Sequence, residues 1–80
     1  MLLTIDNTAL FEICPSFGVW LKMALTNSEI RQEDFAKMMN CNVCTVNFWT
    51  RGEFMPKRDK VRKIADILDV KYKDILINYY

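Results

Sequence analysis

The stretch Ile30-Arg31-Gln32-Glu33-Asp34-Phe35-Ala36-Lys37-Met38-Met39-Asn40-Cys41-Asn42-Val43-Cys44-Thr45-Val46-Asn47-Phe48-Trp49-Thr50-Arg51-Gly52-Glu53-Phe54-Met55-Pro56 decides the fold. Gln32 opens a helix whose first turn carries Glu33 and Asp34, and carboxylates suit the positive end of a helix dipole. Phe35, Ala36 and Met39 fall on its inner face. Asn40-Cys41-Asn42 breaks it. Asn40 tolerates the left-handed backbone that follows a helix end, and Asn42 is a good N-cap for the next helix. That next helix runs from about Val43 to Arg51, with Val46 and Trp49 pointing inward, and Gly52 closes it. Residues 53–56 form a loop ending at Pro56.

Helical spacing continues on both sides. Phe17, Trp20, Leu21, Ala24 and Leu25 make one apolar face, ended by Thr26, Asn27 and Ser28. After Pro56, Val61, Ile64, Ala65 and Leu68 make another, and Asp69-Val70-Lys71 turns the chain. Tyr72, Ile75, Leu76 and Tyr79 make the last. The spacing therefore predicts an all-α fold of five helices around one core. The N-terminal residues carry less signal. Leu2 to Ile5 fit a short strand or an arm, Asn7 fits a cap for a turn through Phe11, and Pro15 fits the first turn of the first helix. The division read here is an N-terminal arm or extension over 1–15 and a helical domain over 16–80.

With 80 residues, the chain has room for one domain. A hydrophobic fraction of 51% with two Gly and two Pro excludes a disordered or collagen-like chain. No apolar run approaches the roughly 18 residues of a membrane span, and no signal peptide is read. The net charge is only +1, but it is unevenly spread. Residues 1–50 carry Lys22, Arg31 and Lys37 against Asp6, Glu12, Glu29, Glu33 and Asp34, a net of −2. Residues 51–63 carry Arg51, Lys57, Arg58, Lys60, Arg62 and Lys63 against Glu53 and Asp59, a net of +4. Such a stretch is either a solvated helix face or a footprint on phosphate.

Cys14, Cys41 and Cys44 cannot all pair within one chain, and they are read as reduced and intracellular. Cys41-x-x-Cys44 lacks the four Cys or His ligands of a structural zinc site, since the chain has no His. The pair reads as one core and one surface cysteine. Neither a metal nor a cofactor is expected. A Gly-rich phosphate loop, a His and an evident carboxylate pair are all missing, so the chain is not read as an enzyme.

Two short helices joined by a tight break are a helix-turn-helix arrangement. Several residues carry a closer resemblance. Gln32, Glu33, Asp34, Phe35 and Ala36 open the first helix of the motif; Asn40, Cys41 and Asn42 make its turn. Val46, Trp49, Arg51 and Gly52 carry its second helix, and Pro56, Ile64, Ala65, Leu68 and Val70 the helix that follows. In these the chain resembles the phage-repressor (Cro/Xre-type, lambda-repressor-like) DNA-binding family over about residues 17–77, with the motif at about 32–51. Asn40 stands where the family usually has Gly, and Leu25 where it usually has Arg. Val43, Cys44 and Phe48 replace common Arg, Gln or Ser, which makes the reading head apolar.

The resemblance implies a compact five-helix domain and sequence-specific DNA binding for transcription control. The expected protein is a repressor or Cro-like switch of phage, plasmid or bacterial origin, cytoplasmic, acting on double-stranded DNA through the major groove. A protein-interaction module of the same fold that does not read DNA is the alternative, favoured by the apolar outward face.

Burying Val46 and Trp49 points Cys44, Asn47, Phe48 and Arg51 outward. Asn47 can bond a base edge, adenine being its best match, while Val43, Cys44 and Phe48 can pack on thymine methyl groups. Asn42 lies at the entry to the same helix, and Thr45 is placed for a phosphate or base. Gln32 is read as a phosphate clamp, with Arg51, Lys57 and Arg58 on the flanking backbone. Phe48 reads equally as a core or interface residue, Gln32 as a helix former and Arg51 as an ion-pair partner. The family usually binds a palindromic operator as a homodimer. Ile77 and Tyr80 form the preferred dimer surface, with the Leu2, Leu3 and Ile5 arm as the other; packing of Ile77 and Tyr80 on their own arm is the contrary reading.

Overall fold

The computed structural model describes residues 6–80. After a short 3-10 helix at Ala9–Glu12 come five α-helices: α1 at Phe17–Asn27, α2 at Gln32–Met38, α3 at Val43–Arg51, α4 at Arg58–Ile67 and α5 at Tyr72–Tyr79. The expected all-α fold with five helices and a motif at 32–51 is the observed one. The predicted apolar faces of the first four helices are buried: Phe17, Trp20, Leu21, Ala24 and Leu25 from α1, Phe35, Ala36 and Met39 from α2, Val46 and Trp49 from α3, and Val61, Ile64, Ala65 and Leu68 from α4; on α5 Ile75 is buried, while Tyr72, Leu76 and Tyr79 are half-buried. Among the described residues no helix is long and apolar enough to cross a membrane.

Helices α1 and α2 both pack on α3, and α5 closes against α4 and α1. Gly18 is what lets α1 meet α3. A Cβ built there would lie 2.7 Å from the Thr50 carbonyl oxygen and 2.8 Å from that of Trp49. Both are backbone atoms and cannot swing aside, so any side chain at 18 pushes the two helices apart.

Helix ends α1 to α4 share one device. A residue two or three positions past each helix donates its N–H back to a carbonyl of the last turn: Ile30 to Leu25 (2.9 Å), Cys41 to Ala36 (2.9 Å), Glu53 to Phe48 (3.0 Å) and Val70 to Ala65 (3.0 Å). The residue before each is left-handed: Glu29, Asn40, Gly52 and Asp69, with φ between 55° and 77°. Asn40 takes the backbone expected of it. Ile30, Cys41 and Val70 also tuck against the core, so these ends are locked by packing as well as by hydrogen bonds.

Residues 7–14, expected within an N-terminal extension, are packed into the same core, with Leu10, Phe11 and Cys14 buried. Asn7 does not cap a turn. It is buried, and its amide donates to the Leu68 carbonyl (2.7 Å) and to Ser28 Oγ (3.0 Å). Its Oδ1 accepts from Asn27 Nδ2 (2.9 Å), and its backbone carbonyl accepts from Trp20 Nε1 (2.9 Å). One side chain thus ties the N-terminal segment to the ends of α1 and α4, and the bonds to the Leu68 carbonyl and from Trp20 Nε1 satisfy groups that burial would otherwise penalise. Pro15 precedes the helix rather than entering its first turn, because Ser16 is the N-cap and accepts from Val19 N–H (3.4 Å). The proposed arm of Leu2, Leu3 and Ile5 lies outside the described residues.

Candidate nucleic-acid interface

Helix α3 is held from behind. Val46 is fully buried and Trp49 nearly so, which fixes the rotation of the helix about its axis. Its N-terminus is fixed by Asn42, whose Oδ1 accepts the Cys44 N–H at 2.8 Å. Gly52 ends it in the left-handed conformation, with φ 77°. A helix fixed at both ends and along its back presents one defined outer stripe, Cys44, Phe48 and Arg51, at i, i+4 and i+7.

The predicted residues divide along this geometry. Cys44 and Arg51 are exposed and Phe48 is half-buried. Thr45 and Asn47 flank the stripe, both half-buried. Val43 is packed against the core and offers only part of its side chain. Asn42 has its acceptor occupied as the cap, which leaves its amide N–H groups to donate outward. Lys57 and Arg58 are exposed at the start of α4, entered through buried Pro56.

Gln32 begins α2 and is half-buried, and its Oε1 is enclosed without a hydrogen-bond partner. An acceptor cannot bond a phosphate oxygen, so only the amide N–H groups of Gln32 suit the phosphate role. Arg51 Nη1 pairs with Glu53 Oε2 at 3.3 Å. Both groups are at least half in solvent, where such a pair is worth about 0–1 kcal/mol. A phosphate can therefore displace Glu53 at little cost.

Two residues outside the predicted set join the site. Phe54 is 61% exposed and meets Phe48 edge to face, with centroids 5.3 Å apart and planes at 86°. Met55, next to it, is also exposed. Their signal in the sequence was faint: two apolar residues in a loop after a helix-ending Gly. The thiols are all unpaired, Cys14 buried, Cys41 half-buried and Cys44 exposed. Burial holds the Cys41 thiol above its ordinary value, against a smaller opposing pull from the Lys60 and Lys63 charges.

The family model described as helix-turn-helix matches residues 14–75, more than half of the chain. This chain belongs to the Cro/Xre-like helix-turn-helix family. No curated protein and no solved structure matches it. The family is a DNA-binding one and not a family of enzymes. The match spans α1 to α4 and the first half of α5. Asn7, Leu10 and Phe11 lie before it, and Ile77 and Tyr80 after it. Of the two proposed dimer residues, Ile77 is 79% exposed. Tyr80 does not rest free beside it: its hydroxyl donates to the Pro56 carbonyl and ties the end of α5 to the loop before α4.

Proposed function

We propose that the chain is a sequence-specific transcriptional regulator that binds the major groove through the outer stripe of α3. The observation that carries the reading is the fixed presentation of Cys44, Phe48 and Arg51 by a helix capped at Asn42 and packed through Val46 and Trp49. Asn47 reads a base edge beside the stripe. Gln32 donates to a phosphate, and Arg51, Lys57 and Arg58 hold the flanking backbone, consistent with the excess of cations over residues 51–63. Action as a repressor or Cro-like switch of phage, plasmid or bacterial origin, in the cytoplasm, follows the resemblance.

A single motif reads few base pairs, and the exposed Ile77 gives a second copy an apolar anchor. The working unit is accordingly a homodimer on a palindromic operator. Selection from a random duplex pool tests both parts. Enrichment of an inverted repeat with half-sites about 34 Å apart is the expected result. Binding with no sequence preference after selection contradicts the reading, and enrichment of single half-sites contradicts the dimer.

A further inference from the structure

The outer stripe of α3 has little to hydrogen-bond with. From Cys44 through Phe48 to Arg51 it carries a thiol, a ring and one guanidinium. Phe48 is continued across the surface by Phe54, whose ring stands perpendicular to it at 5.3 Å and is 61% exposed. The packing leaves an aromatic ledge in solvent, beside Arg51 on the same helix and just before Lys57 and Arg58 in the chain.

Such a ledge asks for an apolar partner, and the Arg51 guanidinium beside it asks for an anionic one. The major groove meets both demands at one kind of position. Among the hydrogen-bonding groups of its base edges, the C5-methyl group of thymine is the one projecting apolar group, and phosphates line its walls. We infer that the Phe48–Phe54 pair is a platform for pyrimidine C5-methyl groups, so that thymine is chosen by apolar contact. This rests on the DNA-binding reading above and adds Phe54 as a residue that sets specificity. Unmethylated cytosine and uracil, which carry only hydrogen at C5, would leave the ledge facing a gap where the methyl group stands.

Uracil tests the platform because it keeps the hydrogen-bonding edge of thymine and lacks only the methyl group. The duplex selected from the random pool is compared with the same duplex carrying deoxyuridine for thymidine, against wild type and Phe54→Ala. Phe54 is mostly in solvent, so its truncation leaves the core intact. Wild type should lose about fourfold in affinity per contacted methyl, the value of one buried carbon. Phe54→Ala should bind the selected duplex more weakly and lose less on uracil substitution. Wild type that binds both duplexes equally overturns the inference and leaves the DNA-binding reading standing. Equal uracil losses in wild type and Phe54→Ala overturn the assignment to Phe54, as does a ledge that instead holds a protein partner. A chain that selects no duplex fails the DNA-binding reading itself, and the inference falls with it.

Discussion

Two aromatic clusters of this chain share an edge-on ring contact and use it to opposite ends. Phe11, Phe17, Trp20 and Tyr79 lie between the N-terminal segment, α1 and α5. Phe11 stacks on Trp20 at 4.9 Å, and Tyr79 meets Phe17 edge-on at 6.1 Å. Every polar tip there is satisfied, Trp20 Nε1 donating to the Asn7 carbonyl and Tyr79 hydroxyl to the Cys14 carbonyl (2.9 Å each). Phe48 and Phe54 make an edge contact of similar geometry, with one ring mostly in water. The first cluster is closed on itself and acts in stability. The second is open, and its energy is gained only when something covers it. The helix ends repeat the contrast: Ile30, Cys41 and Val70 tuck inward after α1, α2 and α4, whereas after α3 exposed Glu53 takes that place and pairs with Arg51.

Breaking the closed cluster should cost most. Trp20 is fully buried, and Trp20→Ala should lose about 3–5 kcal/mol. A domain of this length has roughly 4–12 kcal/mol in total, so circular dichroism should show the variant largely unfolded near physiological temperature. Asn7→Ala comes next. It strips partners from Leu68, Ser28 and Asn27 in one step, and chemical denaturation should register a loss of about 2–3 kcal/mol.

The closed cluster should also respond to alkali. Burial, with a smaller contribution from Cys14, pushes the Tyr79 phenol up from 10.0 to about 12. The neutral phenol is the form the fold holds. Its stabilisation is complete below about pH 10 and is lost as pH rises towards about 12. Melting temperatures across that window should fall more steeply for wild type than for Tyr79→Phe. The open cluster should give the smallest stability change: Phe54→Ala should cost less than about 1 kcal/mol in the same denaturation assay. A loss as large as that of Trp20→Ala would show that the ledge is core after all.

What could be read from the sequence follows from the range of the interactions. The helices, the buried pair Val46 and Trp49, the Asn42 cap and the left-handed Asn40 are all set within a few residues, where spacing and propensity operate. Asn7 escaped because its decisive bond reaches the Leu68 carbonyl, 61 positions away. Gly18 gave no signal of its own, since the carbonyls that require it belong to α3. Glu29 and Asp69 hid two left-handed helix ends, because neither is the Gly that usually marks one. In the candidate site, the outward set was legible from periodicity. Phe54 was not, because a loop has no period to place it.

The central claim is that the outer stripe of α3 meets DNA. Cys44→Glu tests it most directly. Cys44 is exposed, and a carboxylate in the first turn of α3 suits the helix dipole, so the unfolding midpoint should stay the same or rise slightly. The same charge faces phosphates if α3 enters the groove. Fluorescence anisotropy on the selected duplex should then show affinity reduced at least about tenfold, or 1.4 kcal/mol, with folding unchanged. A folded Cys44→Glu variant that binds that duplex as tightly as wild type would contradict the account.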